Sequence, residues 1–265
     1  METLTIRGIR LAFDRAGDGR ELVLFLHGVG SDRGAWAEQA GFFAAQGYST
    51  VAVDCRGHSD SDIARDISLE EFAQDSAELI QALGFERAHW VGLSMGGVIA
   101  LQVWRSRPDT IASLVLANTF AHFPDSQALL DRMQFALHSR SLAEIARERI
   151  PLAFGNPPPP AVLDAAIAAM ARKNPRAYWQ SWVATWTPDF RADLPGITCP
   201  ALVIAGGADR ITPPALSEEL AAGIPGARLV VLDGAGHLSN LDRPAAFNAA
   251  VLEFVRAQQT TPPPR

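Results

Sequence analysis

The sequence predicts an α/β protein: a mostly parallel central sheet flanked by helices, with one inserted helical cap. Three observations carry that prediction. Short continuous apolar runs recur along the chain, helical patterns alternate with them, and the alternation stops between residues 120 and 192. Continuous apolar runs belong to strands covered on both faces. Strands that alternate with helices build βαβ units.

The elements follow in chain order. Residues 4–8 and 10–14 read as a β-hairpin at one sheet edge. Strands are expected at 22–26, 48–53, 90–93, 114–117, 201–205 and 229–232, and core helices at 33–46, 69–83, 95–107, 214–224 and 242–257. Between 120 and 192, helical patterns at 127–138, 142–150, 161–173 and 175–186 succeed one another without a strand. The run Pro157-Pro158-Pro159-Pro160 separates them and suits neither helix nor central strand. An all-helical block of about 70 residues reads as a cap rather than a loop. The division expected is a core of 1–119 and 193–258, a cap of 120–192, and a Pro-rich, disordered tail at 259–265.

Composition narrows the function classes. The length of 265 residues fits one large α/β domain or two small ones, and 48% hydrophobic with 20% charged residues excludes intrinsic disorder. A net charge of −6 argues against nucleic acid as a partner. No apolar run reaches the ~18 residues of a membrane span, and the N-terminus lacks a secretory pattern. Only two cysteines occur, Cys55 and Cys199, so a reducing cytoplasm is expected. The partner expected from the catalytic residues below is a small molecule, with the protein a monomer or homodimer.

Gly92-Leu93-Ser94-Met95-Gly96 follows an apolar run and opens a helical stretch. This G-x-S-x-G pattern puts a serine on a sharp strand-to-helix turn, which demands small neighbours two before and two after. A serine hydroxyl needs a base. Of six histidines, His237 lies just past the last strand, behind Gly234 and Gly236, where open α/β sheets place their sites. His27, His58 and His89 read as structural, and His122 and His138 fall in the cap. The histidine in turn needs a carboxylate to fix its tautomer. Asp209, also just past a strand, is first choice, and an N-cap for the helix after Pro213-Pro214 is its alternative reading. His27-Gly28-Val29-Gly30 follows the first parallel strand, and the backbone N–H groups of Val29 and Met95 are the expected oxyanion donors. A plain glycine-rich turn is the alternative there. Substrate contacts are expected from Trp36, Phe120, His122, Phe123, Trp179 and Leu238. Trp179, Trp182 and Trp186 share a helical face that either meets substrate or docks the cap, docking being favoured for most of it.

Together these segments, with Asp54-Cys55-Arg56-Gly57-His58, resemble the α/β-hydrolase superfamily over essentially the whole chain. Leu114-Val115-Leu116-Ala117-Asn118-Thr119 and Gly234-Ala235-Gly236-His237-Leu238-Ser239-Asn240 are similar to the 3-oxoadipate enol-lactonases and related carboxylesterases. The resemblance implies the α/β-hydrolase fold and cleavage of an ester or lactone through a Ser94-His237-Asp209 triad and an acyl-enzyme. It also implies no metal or organic cofactor, and a place in the catabolism of aromatic compounds. Three departures matter. Ser59 stands where the pattern has glycine. Leu238 replaces the tryptophan of many carbon–carbon-bond hydrolases, and a serine at 94 replaces the aspartate of dehalogenases and epoxide hydrolases. Amide hydrolysis, perhydrolysis, carbon–carbon cleavage and a non-catalytic ligand-binding module stay open as alternatives.

Overall fold

A computed structural model describes residues 1–259; of the tail expected at 259–265, Gln259 instead ends the last helix, and 260–265 lie outside the described residues. One eight-stranded sheet organises the chain. Its strands are β1 (Glu2–Ile6), β2 (Ile9–Ala16), β3 (Leu22–Leu26), β4 (Ser49–Val53), β5 (Ala88–Leu93), β6 (Ile111–Ala117), β7 (Ala201–Gly206) and β8 (Arg228–Leu232). Their spatial order is β1-β2-β4-β3-β5-β6-β7-β8. β1 and β2 run antiparallel at one edge, and β3 to β8 are mutually parallel. The expected hairpin is present, but its first strand stops at Ile6. Arg7 (φ 50°) and Gly8 (φ 80°) form the two-residue turn, with both dihedrals in the left-handed region that a tight hairpin requires.

β3 shows why the apolar runs are continuous. Leu22, Leu24 and Leu26 join one core layer with Phe72, Leu79 and Ile99, while Val23 and Phe25 join the other with Phe43, Phe247 and Val251. The first layer is supplied by α2 (Leu69–Ala82) and α3 (Met95–Ser106), the second by α1 (Ala37–Ala45) and the C-terminal helix. The helix expected at 33–46 begins as a 3₁₀ turn, Arg33–Trp36, before α1. β8 departs from the two-sided reading: Leu229 and Val231 are 38% and 49% exposed, because a terminal strand has no neighbour beyond it.

Between β6 and β7 the chain runs through α4 (Ser126–Ser139), α5 (Leu142–Arg149), α6 (Pro160–Ala171) and α7 (Pro175–Trp186). Pro160, expected to exclude helix, is the first residue of α6, where its missing N–H has no intrahelical partner to lose. A backbone bridge between His122 and Asp189, and Phe190 N–H donating to Ala121 O at 2.9 Å, draw the two ends of the insertion together. Phe120 stacks on Trp186 at 5.0 Å and Phe123 meets it edge-on at 4.6 Å, filling that neck. The chain returns through α8 (Pro214–Gly223), the single turn α9 (Ser239–Asp242) and α10 (Pro244–Gln259).

The loop after β4 is fixed to α2 by a buried ion pair. Arg56 Nε and Nη2 each donate to Asp75 at 2.6 Å, and its Nη1 lies 2.6 Å from Glu71. Burial pushes the Asp75 carboxyl up despite its partner. Arg56→Met should therefore lower unfolding free energy by about 3 kcal/mol, since it leaves the buried Asp75 carboxylate with Arg7 alone, 3.5 Å away. Arg56→Met with Asp75→Leu should recover most of that loss, as read by urea unfolding of both variants.

Candidate active site

Ser94 sits between the end of β5 and the first residue of α3 with φ 54° and ψ −115°. The turn is this sharp because strand and helix nearly touch. A Cβ at Gly92 would lie 2.2 Å from Gly96 O, and one at Gly96 would lie 2.1 Å from Leu26 O. Hydrogen bonds hold the strained residue in place. Ser94 N–H donates to Ala117 O at 2.9 Å, and its carbonyl accepts from Gly97 N–H and from Thr119 Oγ1, each at 2.9 Å. The positive end of α3 thus lies at Ser94.

Asp209 follows β7 and His237 follows β8, adjacent parallel strands that end side by side. His237 Nδ1 lies 2.9 Å from Asp209 Oδ2. The two carboxylate oxygens divide their tasks. Oδ1 accepts from the N–H groups of Ile211 (2.8 Å) and Thr212 (3.0 Å), which makes Asp209 the cap of a local turn. Oδ2 accepts from Asn118 Nδ2 at 2.9 Å and Thr212 Oγ1 at 2.7 Å and faces the imidazole. α8 starts after Pro213, with no side-chain cap from Asp209 or from Pro213. Burial alone would raise the Asp209 carboxyl, but the His237 ring and these donors hold it at about 2. Asn118 and Thr212 were given no role from sequence. Asn118 was findable from its place at the end of β6, where it adopts φ 47°.

The loop after β3 runs beside the serine: a Cβ at Gly28 would stand 3.4 Å from Ser94 Cβ. His27 braces it, as its sequence position implied. Cys55 N–H donates to His27 Nε2 at 3.1 Å, so Nδ1 carries the proton and donates to Gly28 O at 2.8 Å. Val29 lines the cavity beside Ser94, and Met95 opens α3, where the first N–H groups have no intrahelical acceptor.

Ser94, His237 and Val29 border a cavity of about 510 Å³. Much of the rest of its wall is apolar and comes from the insertion, through Ile150, Ala165, Met170, Tyr178, Trp182 and Trp186, while Ala35, Leu93, Ile211 and Leu241 of the core and the charged Asp32, Arg149 and Arg172 also border it. Of the six expected substrate contacts, only Leu238 borders this cavity. Trp36 is buried in the second core layer, stacked on Phe25 at 5.1 Å. Phe120 and Phe123 pack in the neck, and His122 forms its bridge to Asp189 there. Trp179 packs partly buried on the first core layer and borders a separate surface groove together with Ile67, Glu70 and Gln102. The α7 stripe therefore divides, its first tryptophan docking on the core while Trp182 and Trp186 face the cavity. A helical face records only direction around the axis, and this one crosses two different surfaces along its length. Sequence reasoning also passed over Arg149, which borders the cavity with its guanidinium 5.1 Å from the Trp182 ring centroid and makes no ion pair among the described residues.

The alpha/beta hydrolase family model matches residues 23–250. A 3-oxoadipate enol-lactonase of Acinetobacter baylyi is 28% identical over 240 residues, 89% of each chain. A Mycobacterium tuberculosis protein whose name places it among the non-heme bromoperoxidases is 30% identical, over 93% of this chain and 97% of that one. The solved structure of a thermophilic esterase from Thermogutta terrifontis superposes with a TM-score of 0.88 at 29% identity, covering 98% of this chain and 99% of that one.

The lowered Asp209 carboxyl makes stability depend on pH. A carboxyl at about 2 in the folded chain and about 3.9 unfolded contributes roughly 2 to 3 kcal/mol above the unfolded value. That contribution disappears as pH falls from 4 toward 2. Urea unfolding of wild type and Asp209→Asn should differ by this amount at pH 6, and the gap should close on acidification. A gap independent of pH would contradict the assignment.

Proposed function

The chain belongs to the alpha/beta hydrolase family, and from that premise we propose that it is a serine hydrolase cleaving a carboxylic ester or lactone of a small molecule. The observation that carries the reading is the 2.9 Å contact of Asp209 with His237 Nδ1, made while His237 and Ser94 border one cavity. With Nδ1 engaged, Nε2 is the nitrogen left to take the serine proton. Ser94 Oγ attacks the carbonyl carbon as His237 accepts that proton, and the amides of Val29 and Met95 receive the oxyanion. His237 then protonates the leaving oxygen, and a water deprotonated by the same ring releases the acid from the acyl-enzyme. A lactone keeps its leaving group tethered and yields one product molecule. No group in this sequence of steps requires a metal or organic cofactor.

The insertion at 120–192 serves as the cap over a core of 1–119 and 193–258. Its apolar wall favours a hydrocarbon portion of the substrate, and Arg149 favours an anionic end on it. The names of relatives support lactones and esters, and the enol-lactonase likeness supports a role in aromatic catabolism. The likeness to a protein named as a bromoperoxidase favours perhydrolysis as a second reading, in which peroxide replaces water at the acyl-enzyme. Two free thiols agree with a cytoplasmic setting. Among the described residues, no helix is long and apolar enough to cross a membrane.

Ser94→Ala should lower turnover of a short p-nitrophenyl ester by at least about 10³-fold with its melting temperature retained. A fluorophosphonate should label wild type at Ser94 alone. Retention of most of the rate in the variant would refute the assignment. Arg149→Gln should lower kcat/KM about tenfold for an ester whose acyl chain ends in a carboxylate, while a neutral ester of equal length stays within about twofold.

A further inference from the structure

Ser59 is in the left-handed region at φ 44°, a backbone conformation that glycine adopts freely and serine rarely. Its side chain accounts for what is otherwise unfavourable. The hydroxyl donates to Asp32 Oδ2 at 2.9 Å and accepts from Lys173 Nζ at 2.7 Å. Lys173 is the chain's single lysine, follows α6 in the insertion, and is 6% exposed. Its ammonium also lies 3.7 Å from Asp32 Oδ2, and the neighbouring Arg172 Nη2 donates to that same oxygen at 2.7 Å. Burial pulls Lys173 down to about 8, with the carboxylates of Asp32 and Asp54 opposing it, so the ammonium stays charged at neutral pH. Asp32 ends the His27–Asp32 stretch, and its Oδ1 accepts from Gly34 N–H at 3.1 Å. Burial would raise the Asp32 carboxyl, but the Lys173 charge holds it below its ordinary value.

These contacts bring three chain segments, 27–32, the turn at 59 and the end of α6, to one buried carboxylate. The same 27–32 segment carries Val29 and stands against Ser94 through Gly28. We propose that Ser59 is a positioning residue: its hydroxyl joins cap Lys173 to core Asp32 and thereby holds the Val29 amide at the place where the oxyanion forms. The proposal rests on the reading of Ser94 as nucleophile. Docking of the insertion and alignment of the oxyanion donor then become one event, because both depend on the same carboxylate.

Three variants test this, Ser59→Gly, Ser59→Ala and Ser59→Asn, with a short p-nitrophenyl ester as substrate and amide hydrogen exchange as a second measurement. Ser59→Gly relieves the backbone and deletes the hydroxyl. It should keep or raise the melting temperature, lower kcat about tenfold with KM within about twofold, and speed exchange across residues 28–34. Ser59→Ala should show the same kcat loss with a lower melting temperature. Ser59→Asn tolerates positive φ and offers a donor and an acceptor, so it should return kcat to within about threefold of wild type. Wild-type kcat in both Ser59→Gly and Ser59→Ala would overturn the proposal, as would a kcat loss in Ser59→Gly without faster exchange. Should wild type neither hydrolyse the ester nor react with a fluorophosphonate at Ser94, the hydrolase reading fails by itself. The exchange measurement would then decide loop positioning alone: faster in Ser59→Gly sustains it, unchanged refutes it.

Discussion

The close approach of β5 and α3 at Ser94 is the constraint on which the rest depends. Two glycines whose missing Cβ atoms would lie within 2.2 Å of backbone allow strand and helix to meet, and the residue between them is driven to φ 54°. Such a conformation persists only where the surroundings over-determine it. Here they do so through both neighbours in the sheet. Ala117 at the end of β6 accepts the Ser94 N–H, and Leu26 at the end of β3 is the wall against which Gly96 packs. The register of three parallel strands therefore sets where the serine stands.

The same register brings the other groups in. Parallel strands end on one side of a sheet, so the segments after β3, β6, β7 and β8 meet there. Asp209 is held by donors from two of them, Asn118 after β6 and Thr212 in its own turn, before His237 arrives from a third. A carboxylate satisfied in this way stays ionised when buried, and an ionised carboxylate fixes which imidazole nitrogen carries the proton. Asp209 does not cap the helix after Pro213-Pro214, as its alternative reading had it; its Oδ1 instead closes the local turn at Ile211 and Thr212 while Oδ2 meets the histidine.

The insertion is bound to the core by two different kinds of contact. At its neck, aromatic packing of Phe120, Phe123 and Trp186 closes the connection to β6 and β7. Where the insertion meets the loop after β3, charge does the work: Arg172 and Lys173 meet Asp32 beside Val29. Apolar packing tolerates small shifts, whereas a buried carboxylate with several donors fixes position closely. The charged contact lies next to the loop whose geometry matters for the proposed chemistry.

The sheet, the hairpin, the helical insertion and the turn at Ser94 were legible because each is written in local pattern: continuous apolar runs, their interruption, and glycines at fixed offsets. The positions of Asp209 and His237 were legible because parallel strands have their C-terminal ends in common. What surrounds them was not. Trp36, Phe120 and Phe123 have the composition of a cavity lining yet pack into core and neck, while Trp182, Trp186 and Arg149 face the cavity. Sequence alone settled the order of elements, because hydrophobic periodicity depends only on near neighbours. Tertiary structure alone decided which face of the insertion meets the cavity and how Lys173 and Ser59 find Asp32, because residues separated by 27 to 141 positions come together only once the helices have docked.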